Sequence, residues 1–500
     1  MLPITIMMIL LVMAGVIAAV KDSATAKKLA IAAHIPAFAL SAAMLVISAG
    51  EPIRLAIGAE PWNVYVFVTP LASFMVSLFI GVSLLIMWAS MALVNYDVDQ
   101  ARIPMYYSLV CVLIASLCGV VIFGNFFNVF ILMEVSSFAA AGIIIIKNRP
   151  ENMRAGIKYL TLSILGSSFI LMGIITLYFL TGSLSVTGIH ESLVAGYAGQ
   201  EVALVAGYTG YEVAAYNALI FITIGIALKS GLFPMHIAFP DAYAIAPSTS
   251  SAVLSSLVQK AYIFFYIMVL HKAFGIEVIM NDPVMSTTLF LVMAVGAAAM
   301  IAGSAMALLQ TDLKRMIAYS SVAQVGYFFL GVGMGTRLGL FAVIFHFLTH
   351  AVTKAMLFLV AGSVIQQTDN RTIDKMGGIG AQMRVTMALF TVGALSMIGI
   401  PLLIGFNSKW FFAMGIFESQ HLWLLGVLAL SSLLNGCYYL PVVVRAFFGK
   451  EAAEAKQLGQ SLELSVRGLV PIICLAFLVV AFAVIGGPIY YINMGIESIW

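Results

Sequence analysis

Five charged residues lie inside long apolar stretches of this 500-residue chain, where charged side chains are costly. They are Glu134, Lys229, Lys260, Lys354 and Lys409. A lysine at mid-bilayer costs about 2.5–3.5 kcal/mol on insertion scales, so the set would cost on the order of 10 kcal/mol unpaired. Such residues persist in membranes when they face a cavity, pair with one another and serve a function. Any one alone could instead form a static salt bridge or extend to the membrane surface.

Two histidines accompany one of these lysines in the segment FAVIFHFLTHAVTKAMLF. His346, His350 and Lys354 are spaced four residues apart, which places them on one face of a helix. Histidine changes its charge near neutral pH. A lone buried histidine is more often a satisfied core residue, but this stripe, with bridging waters, favours proton transfer by hopping.

The lysine of the segment IGIALKSGLFPMHIAFPDAY stands just before a predicted helix break. Pro234 lacks an amide hydrogen and its ring clashes with the carbonyl four residues back, while Gly231 adds flexibility. The helix should therefore break just after Lys229, and broken helices inside membranes occur where they line a cavity. Glu134, in NVFILMEVSSFAAAG, needs a cationic partner on a neighbouring helix.

A second interruption, with Pro401 and Gly405, precedes Lys409 in SMIGIPLLIGFNSKWFF. Paired Gly/Pro interruptions in two halves of a transporter point to inverted repeats and an ion path. Lys229 and Lys409 share the spacing of the predicted fourth and ninth spans, which start near residues 104 and 284. The pattern predicts two inverted five-helix repeats with broken helices 7 and 12.

Three further ionisable residues have alternative interpretations. His236 and Asp241 lie at the end of the broken seventh helix, where they could form a cytoplasmic entrance or cap a helix. Lys314, in TDLKRM, fits a cytoplasmic anchor at a helix start better than a relay member.

Composition places the whole chain in a membrane. Hydrophobic residues make up 62% and charged residues 9% of the chain, against roughly 25% charged in soluble domains. The sequence therefore predicts an all-α polytopic membrane protein without a sizeable soluble domain. The net charge of +3 tells against nucleic-acid binding. The four cysteines lack C-x-x-C spacing, so we expect no iron–sulfur cluster, zinc, other metal or cofactor on this chain.

About 14 transmembrane helices are predicted, each long enough for a bilayer crossing, which needs ~18–20 residues. Their approximate ranges are 3–20, 28–48, 63–94, 104–124, 125–146, 156–180, 214–243, 249–272, 284–308, 314–333, 338–365, 382–417, 421–447 and 468–492. Most Lys and Arg residues then fall on one side, which by the positive-inside rule predicts a prokaryotic inner-membrane protein with both termini outside. The outer loop at 181–213 contains a short duplication, and residues 450–467 suit a cytoplasmic loop or surface helix.

These spans divide the chain into four predicted parts. Residues 1–100 hold helices 1–3, residues 101–275 the first repeat, residues 280–450 the second repeat, and residues 451–500 a cytoplasmic loop and helix 14.

Four segments in order resemble the antiporter-like subunits of respiratory complex I, Mrp-type sodium/proton antiporters and membrane-bound hydrogenases. They are KSGLFPMHIAFPDAYAIAPSTSSA (229–252), TDLKRMIAYSSVAQVGY (311–327), HAVTKAMLFLVAG (350–362) and GIPLLIGFNSKW (399–410). The resemblance covers roughly residues 60–450. It implies two inverted five-helix repeats, each with a half-channel, joined by a central polar axis.

The resemblance also implies roles for the buried residues. Glu134 matches the family's helix-5 glutamate and Lys229 its helix-7 lysine partner, while Lys260 matches the helix-8 lysine. His346, His350 and Lys354 match the helix-11 connecting group, and Lys409 matches the terminal helix-12 lysine.

Two departures narrow the resemblance within the family. Complex I subunits of the M type carry a glutamate where this chain has Lys409, and those of the L type continue into a long lateral helix, whereas this sequence stops at Trp500. The chain is therefore most similar to the D-type component of Mrp antiporters or the corresponding hydrogenase subunit.

The predicted function is proton translocation within a multisubunit complex in the lipid bilayer. The expected partners are other membrane subunits, antiporter-like homologues among them, and a redox module or a sodium gradient as energy source. H⁺ fits the His and Lys groups, whereas Na⁺ should prefer oxygen ligands. The alternatives are a stand-alone secondary transporter of an organic substrate and a structural subunit with a blocked channel.

Overall fold

The computed structural model describes residues 1–197, 210–449 and 462–500. Most of the predicted duplication in the outer loop, and most of the predicted polar loop at 450–467, lie outside the described residues. Nearly all of the described chain is helical, which confirms the predicted class.

The first half of the chain contains the following elements: α1 (Leu2–Ala19), α2 (Ser23–Ser48), β1 (Ile53–Ile57), β2 (Val64–Val68), α3 (Pro70–Asp97), α4 (Ile103–Ile122), α5 (Phe126–Ile145), α6 (Pro150–Thr181), α7 (Val186–Tyr197), α8 (Tyr211–Ser230), α9 (Ala238–Ile245), α10 (Ser248–Val253) and α11 (Gln259–Met268). Two π-helical segments, Leu254–Val258 and Val269–Phe274, continue α10 and α11 into one long helix.

The second half continues with these helices: α12 (Ile276–Asn281), α13 (Pro283–Leu308), α14 (Leu313–Gly333), α15 (Arg337–Thr368), α16 (Ile379–Gln382), α17 (Arg384–Ile398), α18 (Ile404–Glu418), α19 (Leu424–Phe448), α20 (Val466–Val484) and α21 (Gly487–Glu497).

Thirteen helices in the described part of the chain are long and apolar enough to cross a membrane. The remaining predicted span corresponds to α17 and α18, which have 15 residues each. The chain is therefore a multi-pass membrane protein, with about the number of crossings that the sequence predicts.

The predicted third span, 63–94, is wrong at its start. Residues 64–68 form β2, which pairs antiparallel with β1 in a hairpin that aligns Ile53 with Val68. The sequence VYVFV of β2 is rich in β-branched and aromatic residues, which favour strands. Thr69 then caps α3 by accepting a hydrogen bond from the amide of Ala72 at 3.1 Å, and Pro70 occupies the first helical position, where it is well tolerated.

Two other predicted spans are each divided between two helices, the seventh near the break that the sequence predicts after Lys229. The predicted seventh span, 214–243, consists of α8 and α9 with a turn between them. The predicted last span, 468–492, is divided between α20 and α21, because the Gly486–Gly487–Pro488 sequence does not continue a helix well.

Small residues allow α13 and α14 to pack closely in the second half. A Cβ atom added to Gly296 of α13 would lie 2.8 Å from the carbonyl oxygen of Gly326 of α14. Glycine at such positions lets two helix backbones approach directly.

Three helical segments occupy the centre of the bundle. In their most apolar 18-residue windows, 94% of the residues of Ser248–Phe274, 94% of those of α14 and 100% of those of α15 are buried. The side chains that these segments carry are therefore shielded from lipid by the surrounding helices.

Candidate ion-conducting site

Glu134 of α5 and Lys229 of α8 form an ion pair inside the first half of the bundle. The Nζ atom of Lys229 lies 3.2 Å from Oε1 of Glu134. Lys229 also donates hydrogen bonds to Ser137 Oγ at 2.7 Å and Ser163 Oγ at 3.2 Å, and Ser167 donates one to Glu134. The lysine side chain is fully buried, whereas that of Glu134 is 22% exposed.

The helix that carries Lys229 ends one residue later, at Ser230. Gly231 has a φ of 70°, the left-handed conformation that commonly ends helices. The amide of Leu232 turns back to the carbonyl of Ala227 at 3.0 Å. Lys229 thus lies in the last turn of α8, beside the turn that leads to α9.

The segment Ser248–Phe274 links this pair to the centre of the protein. The ring of Tyr262 lies 5.2 Å from Nζ of Lys229, and Lys260 stands two residues earlier on α11. Lys260 donates to the carbonyl of Ser255 at 3.2 Å. Ser255 belongs to a π-helical segment, in which i→i+5 bonding disturbs the normal ladder, and such bulges are frequent at functional sites.

His350 and His346 of α15 extend the chain of contacts from Lys260. Nζ of Lys260 lies 2.8 Å from Nδ1 of His350, and the centroids of the two histidine rings are 6.1 Å apart. His346 contacts Ser408 Oγ and Gln324 Oε1, each at 2.8 Å. His346 therefore connects α15 to both α14 and α18.

Lys354 does not hydrogen-bond to His350, although it lies one turn further along α15. Its Nζ donates to the carbonyl of Ile317 at 3.0 Å and to the hydroxyl of Ser320. The hydroxyl of Tyr439 lies 3.4 Å from the same nitrogen. Lys354 therefore forms a branch toward α14 and α19 rather than a link in a single file.

Lys409 lies on α18 just past the second helix interruption. Gly399, with a φ of 93°, follows the end of α17. Nζ of Lys409 donates to the carbonyl of Ile398 at 2.7 Å, one of the carbonyls that a helix end leaves without an intrahelical partner. It also donates to Ser432 Oγ at 2.8 Å, and it lies 5.9 Å from the ring centroid of Tyr327.

Tyr327 connects Lys409 to the histidines. Its ring centroid lies 5.3 Å from that of His346. The residue before Lys409, Ser408, bonds to the same histidine. The predicted groups from Lys260 through His350 and His346 to Lys409 are therefore brought together. Lys229 approaches this line at the ring of Tyr262, two residues from Lys260.

Charge along this line is unbalanced. Among the described residues, Glu134 is the only carboxylate within 4 Å of Lys229, Lys260, Lys354 or Lys409. His346 interacts electrostatically with Lys260, Lys354 and Lys409. Because a buried charge without a counter-ion is costly, each proton bound here raises the cost of binding the next.

Of the six buried polar atoms on these central helices that lack a hydrogen-bond partner within the described part of the chain, four lie on or beside residues of this line. They are Gln259 Oε1, Gln324 Nε2, His350 Nε2 and Thr353 Oγ1. Buried polar groups are nearly always satisfied, by water where protein offers no partner. The line therefore has positions where water could bridge its members.

The two residues proposed as an entrance are not paired with each other. Asp241 forms an ion pair with Arg315 at 3.1 Å near the surface. His236 is 7% exposed and stacks on Phe233, with 5.4 Å between ring centroids. An entrance at these residues stays a prediction. Lys314 differs from the expected surface anchor, because it is 2% exposed.

Sequence analysis missed the neutral groups that hold the ionisable ones. Serines, tyrosines and a glutamine supply most of the partners, namely Ser137, Ser163, Ser167, Ser320, Ser408, Ser432, Tyr262, Tyr327, Tyr439 and Gln324. The i, i+4 spacing of Ser163 and Ser167 is a signal, but serine is common in membrane helices and the spacing is not specific.

Comparisons with known proteins show the family of this chain. Residues 124–435 match the family model described as NADH:quinone oxidoreductase/Mrp antiporter, transmembrane. NADH-quinone oxidoreductase subunit N of Desulforudis audaxviator is 33% identical over 82% of this chain and 80% of its own length. The D-type component of the Na(+)/H(+) antiporter of Alkalihalophilus pseudofirmus is 26% identical over 79% and 75%.

A solved structure shows the same fold over nearly the whole chain. It is that of the membrane-bound sulfane sulfur reductase, an archaeal respiratory membrane complex, and the match has a TM-score of 0.85. Identity is 25%, and the alignment covers 99% of this chain and 96% of the other. The chain therefore belongs to the NADH:quinone oxidoreductase/Mrp antiporter transmembrane family, as an antiporter-like membrane subunit.

Proposed function

We propose that this chain translocates protons across the membrane as one subunit of a multisubunit complex. The observation that carries the proposal is the contact between Lys260 and His350 at 2.8 Å, with His346 next in line. These groups can each accept and release a proton, and they lie in fully buried helices where a purely structural role is costly.

The proposed path starts at the ion pair. When Glu134 and Lys229 change their charge or separation, the field at Lys260 changes. A proton at Lys260 would then move to His350 and His346 through waters at the unsatisfied polar atoms, and on to Lys409, from which it would leave. Lys354, bound to Ile317 and Ser320, would exchange protons with this line as a side branch.

The energy must come from outside this chain. Moving one charge against 100 mV requires about 2.3 kcal/mol. Because the relatives include components of a quinone oxidoreductase and of a sodium/proton antiporter, we propose that a redox module or a sodium gradient in the same complex supplies it.

The orientation of the chain follows from the proposed position of its termini. With both termini outside, the N-terminal end of α14 faces the cytoplasm.

The carried ion is proposed to be H⁺. The line consists of amines and imidazoles, which bind protons, and it contains few of the carboxylate and carbonyl oxygens that a hard cation such as Na⁺ prefers. Two alternatives remain open to test, a structural subunit with a blocked channel and a stand-alone transporter of an organic substrate.

The experiment replaces Lys229 by alanine in the intact complex and measures proton movement in sealed vesicles. We expect translocation to fall by about tenfold or more, because a positioned proton-transfer group contributes 10²–10⁴-fold to such steps. Lys158→Ala is the matched control, since Lys158 is an exposed lysine on the neighbouring helix α6.

The alternatives predict other results. A blocked structural subunit would keep normal proton movement in an assembled Lys229→Ala complex. A stand-alone transporter would move an organic substrate when expressed without partner subunits.

A further inference from the structure

A second group of charged residues lies outside the proposed path, on the side predicted to be cytoplasmic. Asp97 at the end of α3 forms an ion pair with Lys147, and the two side chains are 9% and 11% exposed. Asp97 also accepts a hydrogen bond from the amide of Ser248 at 2.8 Å. Since Ser248 begins the long helix that carries Lys260, this pair lies at the base of the central axis.

A cavity of about 270 Å³ opens beside this pair. Its lining is polar and includes Asp97, Lys147, Asn95, Asp99, Gln100 and Arg149. It is therefore wide and polar enough to hold water against Asp97 and Lys147.

Lys314 of α14 lies behind the pair and is buried. Its Nζ donates one hydrogen bond, to the carbonyl of Ala246 at 2.5 Å, and among the described residues no carboxylate lies within 4 Å of it. The charged groups that act on it are Lys147 and Asp97 on one side and Arg371 and Asp312 on the other. The latter two form their own ion pair at 2.9 Å.

Polar groups continue from Lys314 along α14 to the proposed path. Ile317, one turn further, accepts the hydrogen bond from Lys354, and Ser320 accepts another. Ser321 lies 2.9 Å from Ser255, whose carbonyl binds Lys260. The rise from Lys314 to Ile317 is about 4.5 Å along the axis, so the carbonyl that binds Lys354 lies within one helical turn of Lys314.

We propose that Lys314 is the proton-uptake group of this chain, loaded from the cavity through Asp97 and Lys147 and discharged to Lys354. The proposal rests on the proposed proton translocation. A proton from cavity water, passed by Asp97, would bind the neutral amine of Lys314. That N–H bond then breaks as the neutral amine of Lys354 takes the proton, so no other reactant is needed.

A purely structural role for Lys314 makes a different prediction. Its bond to Ala246 lies at the end of α9, where a lysine can satisfy a carbonyl that the helix leaves free. Arginine would preserve that hydrogen bond and the positive charge, but it cannot release its proton in a protein. Lys314→Arg therefore separates a cap from a proton carrier.

The test measures proton translocation by the intact complex in inverted vesicles, with assembly followed in parallel. For Lys314→Arg we expect an assembled complex whose translocation falls at least about tenfold. Lys158→Arg, at an exposed position of α6, is the matched control. Asp97→Asn, nearly the same size, should lower translocation severalfold and shift its dependence on cytoplasmic pH.

Normal translocation in assembled Lys314→Arg overturns the proposal. If Lys314→Arg fails to assemble, Asp97→Asn decides: an unchanged rate and pH profile overturn the proposal, and a lowered rate with a shifted profile supports it. Lys229→Ala in the same vesicles separates the two claims. When it abolishes translocation and Lys314→Arg does not, only the uptake site is wrong; when both variants translocate normally, the proposed function itself fails.

Discussion

At the scale of residues, the buried amines differ in what stands opposite them. Lys229 faces a carboxylate, whereas Lys260, Lys354 and Lys409 are held by carbonyls, hydroxyls and an imidazole. A carboxylate partner stabilises the charged amine, while neutral acceptors do so less. Lys229 therefore suits an ion pair that sets the field at Lys260, and the other three amines suit carrying a proton.

The ion pair makes a prediction at this scale. Glu134→Gln keeps the size of the side chain and one acceptor oxygen, but it removes the only carboxylate beside Lys229 among the described residues. The negative charge that acts on Lys260 through the pair is then lost. We expect proton translocation in vesicles to fall by about tenfold or more.

Glu277→Gln, at an exposed position on α12, is the matched control. Full translocation in an assembled Glu134→Gln complex would show that the pair does not influence the central line.

The ionisable members of the site could be predicted from the sequence because a charge in an apolar run is visible without a structure. Their partners could not, since the hydroxyl of Ser137 or Tyr262 looks the same in sequence whether it holds Lys229 or bonds its own helix. Lys314 was assigned to the surface for a related reason: a lysine at a helix start is usually exposed, and only the packing of α3, α9 and α14 buries it.

At the scale of elements, the two helix interruptions position Lys229 and Lys409 differently. Lys229 precedes its turn, in the last turn of α8, whereas Lys409 follows its turn and reaches back to the end of α17. The second arrangement depends on close contact between α17 and α18. A Cβ atom on Gly405 would lie 1.7 Å from the carbonyl oxygen of Ser396.

That contact yields a prediction at the scale of elements. Gly405→Ala must push α18 away from α17, because 1.7 Å is far inside van der Waals contact, and Lys409 should lose its bond to Ile398. We expect the free energy of unfolding to fall by roughly 1–3 kcal/mol or more, as is typical of overpacking. The unfolding temperature should therefore be lower, and proton translocation should be reduced.

Gly426→Ala is the control, since no heavy atom lies within 4 Å of the added Cβ atom. Equal unfolding temperatures and rates for the two variants would contradict this account of the interruption.

Hydropathy located most helices but missed the hairpin. The strand VYVFV runs directly into the apolar start of α3, and a short apolar run cannot be assigned to strand or helix by periodicity alone. The two inverted repeats stay a prediction, because an inverted repeat is defined by the orientation of one five-helix group relative to the other, which helix bounds alone do not give. Helices α6 and α15, which have 32 residues each, support it.

At the scale of the whole molecule, composition was sufficient to predict a polytopic helical protein. It was not sufficient to predict which helices form the interior of the bundle. A chain with 62% hydrophobic residues must use lipid as its solvent, but only the packed structure shows that α14, α15 and the segment Ser248–Phe274 form a fully enclosed core. Lys260, His346, His350 and Lys354 lie on these segments, and Lys229 and Lys409 converge on them at Tyr262 and Tyr327. This convergence is the physical basis for proposing a proton path.

The most direct test of that path is proton translocation by the intact complex in sealed vesicles after His350→Leu. His350 joins Lys260 to His346, and leucine cannot carry a proton, so we predict a loss of about tenfold or more with assembly retained. His421→Leu, a histidine beside Phe290 outside the line, should translocate normally. Undiminished translocation by an assembled His350→Leu complex would contradict conduction along the buried line.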